Sequence, residues 1–230
     1  MLAGGIALVG GALAFLGVFS YLATRFQYPE VLDGNAPEVL PALWATGATG
    51  RAVWALYGVL PLVFIPAGVG AFEALRNRAS GSTRMGMLFA FLAAFSMMLG
   101  LMRWPSVHWE LARAWATAAE GNRVVLAAMF DGLKRYLGNF IGEFIGELGL
   151  SVFFVLSGVG LSRHPRCPRW LSWWGIATRV LGLIGMWRNV TPAVDVVAAA
   201  SNYLLPAWMI GFGVWLVITS RTERLTPAHV

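Results

Sequence analysis

About six stretches of this sequence are apolar enough and long enough to cross a bilayer, a crossing needing roughly 20 residues. They fall near residues 2–24, 52–75, 85–102, 137–161, 170–187 and 192–219. No other feature restricts the fold as strongly, because hydrocarbon offers no hydrogen-bond partner to a backbone N–H or C=O and each segment must satisfy its own. The fold expected is all-α: a polytopic membrane helix bundle forming a single transmembrane domain over 1–230. Composition agrees, since 58% hydrophobic against 12% charged residues leaves too little polar surface to coat a soluble globule. The first stretch reads as a retained helix rather than a cleaved signal, having no Lys or Arg ahead of it.

Basic residues set the expected orientation. Arg76, Arg78 and Arg84, then Arg163, Arg166 and Arg169, then Arg221 and Arg224 all fall on one side of a six-helix chain. The positive-inside rule makes that side cytoplasmic, with both termini inside. The opposite connection carries Glu30, Asp33 and Glu38 against Arg25 and Arg51, whereas 103–135 carries five basic residues spread over amphipathic sequence. A net charge of +6 then reflects loops facing anionic membrane lipid, and no nucleic-acid partner is expected, because no basic stripe interleaves with exposed aromatics.

The connections on the outer side look structured. Pro29-Glu-Val-Leu32 recurs as Pro37-Glu-Val-Leu40, and proline followed by an acid suits the first turn of a short helix. Within 104–136, Val107, Leu111 and Trp115 recur at helical spacing, and Val125, Met129 and Leu133 do so again. An amphipathic interfacial segment between helices three and four is expected there: the first run lies along the membrane surface, the second leads towards helix four, and together they form a lid or a brace.

The sharpest functional signal is a pair of acids one turn apart, Glu143 and Glu147, in the repeat Asn139-Phe-Ile-Gly-Glu-Phe-Ile-Gly-Glu147. A carboxylate in hydrocarbon costs several kcal/mol and usually faces protein or a water-filled cavity. At about 1.5 Å per residue, Glu147 lies roughly 15 Å below the outer end of its helix and Glu143 roughly 6 Å nearer the outside. Helix five runs the opposite way and brings Arg179 to a similar depth. A carboxylate paired with Arg stays ionised, while one without a cation holds its proton more tightly. Such a pair suits acid/base work, and a register-fixing Glu-Arg pair is an equal alternative. Gly138, Gly142 and Gly146 form a small-residue ridge beside the acids that admits another helix or a second copy of the chain in a homo-oligomer.

Other polar positions are candidates for the same pocket. Asp195 follows Thr191-Pro192, where the helix dipole favours an anion, and stands as a catalytic alternative; Asn202 precedes the carbonyl-freeing Pro206 by one turn and can line a cavity. Arg103-Trp104-Pro105 reads as an interfacial anchor, with Trp104 at headgroup depth and Arg103 snorkelling to phosphate. Its functional alternative makes Arg103 an anion clamp and His108 a proton shuttle. The candidate set is therefore Glu143, Glu147, Asp195 and His108 for catalysis, with Arg103, Trp104, Asn139, Arg179 and Asn202 for ligand binding.

Phe26-Gln-Tyr-Pro29, Leu101-Met-Arg-Trp-Pro105 and Tyr136-Leu-Gly-Asn-Phe-Ile-Gly-Glu143 together resemble an uncharacterised bacterial family of small six-helix integral membrane proteins, a domain of unknown function. The resemblance implies a bundle in a bacterial inner (plasma) membrane and supplies no chemistry. It favours the acid at Glu143 over Glu147 as the working group.

Established chemistries are missing from the sequence. It has no Gly-rich phosphate loop, no His-Glu-x-x-His, no Gly-x-Ser-x-Gly elbow and no histidine pair in the spans, so no metal or cofactor is expected. Cys167 is the only cysteine, in a basic loop with His164 that reads as structural. Three functions remain open: an enzyme acting on a lipophilic small molecule, of cyclase or isomerase type; a proton-coupled small transporter; and an accessory or sensory subunit whose acids are structural.

Overall fold

The computed structural model describes residues 1–32 and 34–225, so Asp33 of the expected acidic loop lies outside the described residues, as does the Arg224 side chain. Those residues fold as helices without a strand. In order they are α1 (Leu2–Phe26), α2 (Ala36–Ala45), α3 (Gly47–Val59), α4 (Phe64–Met102), α5 (Val107–Thr117), α6 (Glu120–Leu133), a π-helical stretch (Lys134–Ile145), α7 (Gly146–Ser162), α8 (Arg169–Gly185) and α9 (Asp195–Leu225). The molecule is a polytopic membrane helix bundle.

Long apolar helices account for the bundle. Leu2–Phe26, Gly47–Thr117, Glu120–Ser162 and Pro192–Thr222 each contain a window apolar enough to cross a bilayer. The second of these cannot run straight, because Ala79 leaves helical geometry at φ −156°, ψ 53° and folds α4 back on itself. Close packing of the two arms proves the reversal: a Cβ on Gly68 would lie 2.7 Å from the Ala90 side chain, and one on Gly58 would lie 2.7 Å from Met102 Sδ. Those arms correspond to the stretches expected at 52–75 and 85–102. Helix α8, at 17 residues, spans only about 25 Å, and a 3₁₀ turn over Met186–Asn189 prolongs it.

At one end of the bundle lie the Ala79 turn and the 163–168 connection, where Met1 pairs with Glu73 and the His164 and Trp215 rings meet at 5.0 Å. At the other end, α2, α5 and α6 form a cap. Asn35 opens α2 by accepting from the Glu38 amide at 3.2 Å, with Pro37 in the first turn, and a 3₁₀ turn covers Glu30–Leu32, so both Pro-Glu repeats begin short turns.

The segment 104–136 is a helical hairpin, and its second half leads into the next span. Lys134 (φ −58°, ψ −51°) keeps helical geometry, so α6 runs unbroken into the π-helical stretch and α7 over Glu120–Ser162. Those 43 residues form one continuous helical run of about 65 Å. On α6, Val125 and Met129 of the periodic face stay exposed, while Phe130, which is not part of that run, is fully buried in the cap.

Two cores result. The spanning core packs Leu8, Phe64, Phe153, Phe154, Trp208 and Phe212. A second core fills the cap end with Phe26, Leu43, Trp54, Trp104, Trp109 and Phe130.

Candidate functional site

The π-helical stretch Lys134–Ile145 carries Gly138, Asn139, Gly142 and Glu143. π-Helical geometry is rare and occurs frequently at functional sites. One side of it is a glycine face turned to the second arm of α4. A Cβ on Gly138 would come 2.6 Å from Arg103 Cζ, one on Gly142 would come 2.8 Å from Gly100 Cα, and one on Gly146 would come 2.5 Å from Met97 Cγ. The close approach expected of this ridge is made here to the second arm of α4 and to Arg103 just beyond it.

The acids face α8 and its 3₁₀ extension, and the two are treated differently. Glu147 pairs with Arg179, whose side chain is fully buried, while 16% of the Glu147 side chain is exposed. Arg179 Nη2 also donates to Ser151 Oγ at 2.9 Å, and the Ser151 hydroxyl donates to Glu147 Oε1 at 3.4 Å. Room for this triad exists because residue 182 is glycine: a Cβ there would lie 2.5 Å from Ser151 Oγ and 2.7 Å from Glu147 Oε1, besides meeting the guanidinium. Arg179 Nε and Nη1 have no protein partner among the described residues.

Glu143 instead pairs with Arg188, which donates from Nε at 3.1 Å and Nη2 at 2.9 Å to the same oxygen, Oε2. Both side chains keep about a third of their surface open, 31% for Glu143 and 35% for Arg188. Asn139 is half-buried on the same stretch.

A tyrosine pair belongs to this neighbourhood. Gln27 adopts left-handed geometry (φ 53°) at the end of α1, and the chain turns so that Tyr28 Oη lies 3.1 Å from Tyr57 Oη. Burial pushes the Tyr28 phenol above its ordinary value, the hydrogen bond with Tyr57 lowers it, Glu143 raises it, and Arg103 and Arg188 lower it. Glu143, Arg188, Arg103 and Tyr28 thus lie within electrostatic reach of one another.

Arg103 and Trp104 are enclosed by protein. Trp104 is fully buried and stacks on Trp54 at 4.7 Å, and Arg103 is 5% exposed, donates from Nη1 to the Gly100 carbonyl and lies over the Trp104 ring at 5.1 Å. The helical cap covers the place where snorkelling was expected. His108 is enclosed by Trp104 and Phe130, with ring centroids 4.9 and 4.7 Å away. Among the described residues, neither of its nitrogens has a hydrogen-bond partner. Burial first, then Arg103 and Lys134, push its pKa down to about 3, so the ring is neutral at pH 7 and has no relay partner among the described residues. Asp195 and Asn202 are exposed on α9 and make no hydrogen bond to either acid.

The structure therefore gathers Glu143, Glu147, Arg179 and Arg103 around one seam and leaves Asp195, Asn202 and His108 out of it. Sequence reasoning missed Arg188, Tyr28 and Tyr57. Arg188 follows directly on the expected end of helix five, and Tyr28 stands inside the Phe26-Gln-Tyr-Pro29 motif, so each had a signal nearby. Among the described residues no group of three or more His, Cys, Asp or Glu is placed to hold a metal ion.

A family model described as "Domain of unknown function (DUF4386)" matches residues 3–219. No curated protein and no solved structure matches the chain.

Proposed function

We propose that this protein, which belongs to the DUF4386 family, binds a lipophilic small molecule in the membrane, recognising its polar head at the Glu143–Arg188 pair. The observation that carries this reading is the unequal surroundings of the two acids. Glu147 is committed to a buried guanidinium and a serine, whereas Glu143 and Arg188 are each about one-third open and can exchange partners. A ligand head that offers both a donor and an acceptor can insert between them, with Tyr28 and Tyr57 as neighbouring hydroxyls. Ion-pair recognition is favoured over catalysis, because Glu143 Oε2 is already engaged by two guanidinium N–H groups of Arg188. Acid/base turnover of the cyclase or isomerase type requires the ligand first to displace Arg188.

The same reading places the protein in a bacterial inner membrane with both termini cytoplasmic. Support comes from the gathering of Arg76, Arg78, Arg84, Arg163, Arg166 and Arg169 at the end opposite the cap.

Mass spectrometry of molecules co-purifying with the protein tests the proposal. A lipophilic compound present with the wild type and lost from Glu143→Gln is expected; equal retention by the variant removes Glu143 from the site. A second reading rests on Glu143, Glu147 and Ser151 following one another at one-turn intervals down the helix, a stripe suited to proton movement in a carrier. Substrate-dependent proton uptake into proteoliposomes, abolished by Glu143→Gln, would favour that reading.

A further inference from the structure

Away from the acid seam, the cap holds a cavity of about 430 Å³ between α2, α5 and α6. Its size falls within the roughly 300–1,000 Å³ of small-molecule sites. Pro37, Pro41 and Trp44 form one wall, Trp115 and Ala116 the other, and Arg123 closes one side. The walls are apolar and rigid, and the single formal charge among these residues is positive.

That charge is available. Arg51 and Arg113 of the same cap both lie against Glu110, at 3.8 and 2.8 Å, and Arg51 also donates to the Pro105 carbonyl at 2.9 Å. Arg123 meets only a ring face, with its guanidinium carbon 5.5 Å from the Trp115 centroid, and no carboxylate lies within ion-pair distance of it among the described residues. Stacking on Trp holds the guanidinium at the cavity edge while leaving its N–H fork free for an anion. The adjoining surface is unsuited to water: Val124, next to Arg123, is 72% exposed, and Trp44 is 39% exposed. Trp and Arg on the terminal layer of a membrane bundle lie at the depth of lipid headgroups.

We infer that this cavity is a binding site for a phospholipid with an anionic headgroup, its phosphate on Arg123 and an acyl chain between Trp44 and Trp115. Charge complementarity selects the anionic lipid, since a zwitterionic headgroup brings a cation to a guanidinium that has no carboxylate within ion-pair distance among the described residues. The site is separate from the Glu143–Arg188 pair and stands whether or not that pair binds a ligand.

Delipidated protein in detergent, titrated with phosphatidylglycerol or with phosphatidylcholine of the same acyl chains and read by native mass spectrometry, tests the assignment. One phosphatidylglycerol is expected to bind about tenfold more tightly than phosphatidylcholine, a difference of about 1.4 kcal/mol. Arg123→Gln should abolish that preference and Arg123→Lys should keep most of it. Ala116→Trp, which fills the cavity from an exposed position, should remove the bound lipid while leaving the melting temperature unchanged. Equal binding of the two lipids by the wild type, or unchanged phosphatidylglycerol binding by Arg123→Gln or by a folded Ala116→Trp, overturns the proposal. Because Glu143→Gln leaves this cavity intact, loss of the seam ligand in that variant with phosphatidylglycerol retained separates the two sites.

Discussion

The seam between α7 and α8 and the aromatic cap beneath α2 and α5 both bury polar groups, and they do so by opposite means. In the seam each carboxylate has its own guanidinium, Glu147 with Arg179 and Glu143 with Arg188. In the cap, His108 and the indole N–H groups of Trp54 and Trp104 are buried without hydrogen-bond partners among the described residues and are held by ring packing instead. A charge enclosed in low dielectric needs a counter-charge, whereas a neutral ring loses far less on enclosure. Removing a polar group should therefore be costly in the seam and tolerable in the cap.

The largest effect should come from Arg179→Ala, which leaves Glu147 without its cation. Breaking a buried pair on one side costs about 3–5 kcal/mol, read as a fall in the unfolding midpoint in detergent. A change of under one kcal/mol would show that the seam does not depend on charge pairing.

Acid should test the cap next. His108 is held neutral in the folded protein with its pKa lowered to about 3 from an ordinary 6.5. Between those values the unfolded chain takes up a proton that the folded chain refuses, so this contribution is complete above pH 6.5 and is lost as pH falls towards 3. Near pH 4.5 the loss is about 2–3 kcal/mol. Melting curves at pH 7.5 and 4.5 should show it in the wild type and show a smaller drop in His108→Phe, which should fold normally at neutral pH. Identical acid sensitivity in the two proteins would place the titrating group elsewhere.

Gly182→Ala probes the space around the deeper pair without deleting a charge. Its added methyl group must displace the Arg179–Ser151–Glu147 triad, and overpacking of this kind costs about 1–3 kcal/mol. Unchanged stability would mean that the triad can shift freely and that its geometry is not specified.

Glu143→Gln should have the smallest effect on stability. With about a third of each side chain exposed, its pair with Arg188 is worth about 0–1 kcal/mol. Near-native melting accompanied by loss of the bound lipophilic compound sharpens the contrast between the two acids. Destabilisation as large as that of Arg179→Ala would make both pairs structural.

The residues differ in how legible they were. Arg179 meets Glu147 as the depth arithmetic suggested, because antiparallel helices with a fixed rise per residue bring equal depths together. Arg188 escaped because it lies beyond the apolar run of helix five, and a hydropathy boundary does not register that a long side chain can reach back to Glu143. The glycine ridge was visible, but its partner, Gly100, lies in a helix read as a separate span. Nothing in the local sequence of His108 shows that Phe130 of α6 closes over it.

By itself the sequence determined that the chain is a bundle of apolar helices and where most of those helices run. Those outcomes follow from free energies summed over consecutive residues: transfer of side chains from water, satisfaction of the backbone within each helix, and charge at the helix ends. Tertiary structure alone decided that Glu143 takes Arg188, leaving Arg179 to Glu147, and that Phe130 of α6 closes over His108. Pairings of that kind depend on groups distant in the chain coming within a few ångströms, and hydropathy or periodicity along the chain does not measure that distance.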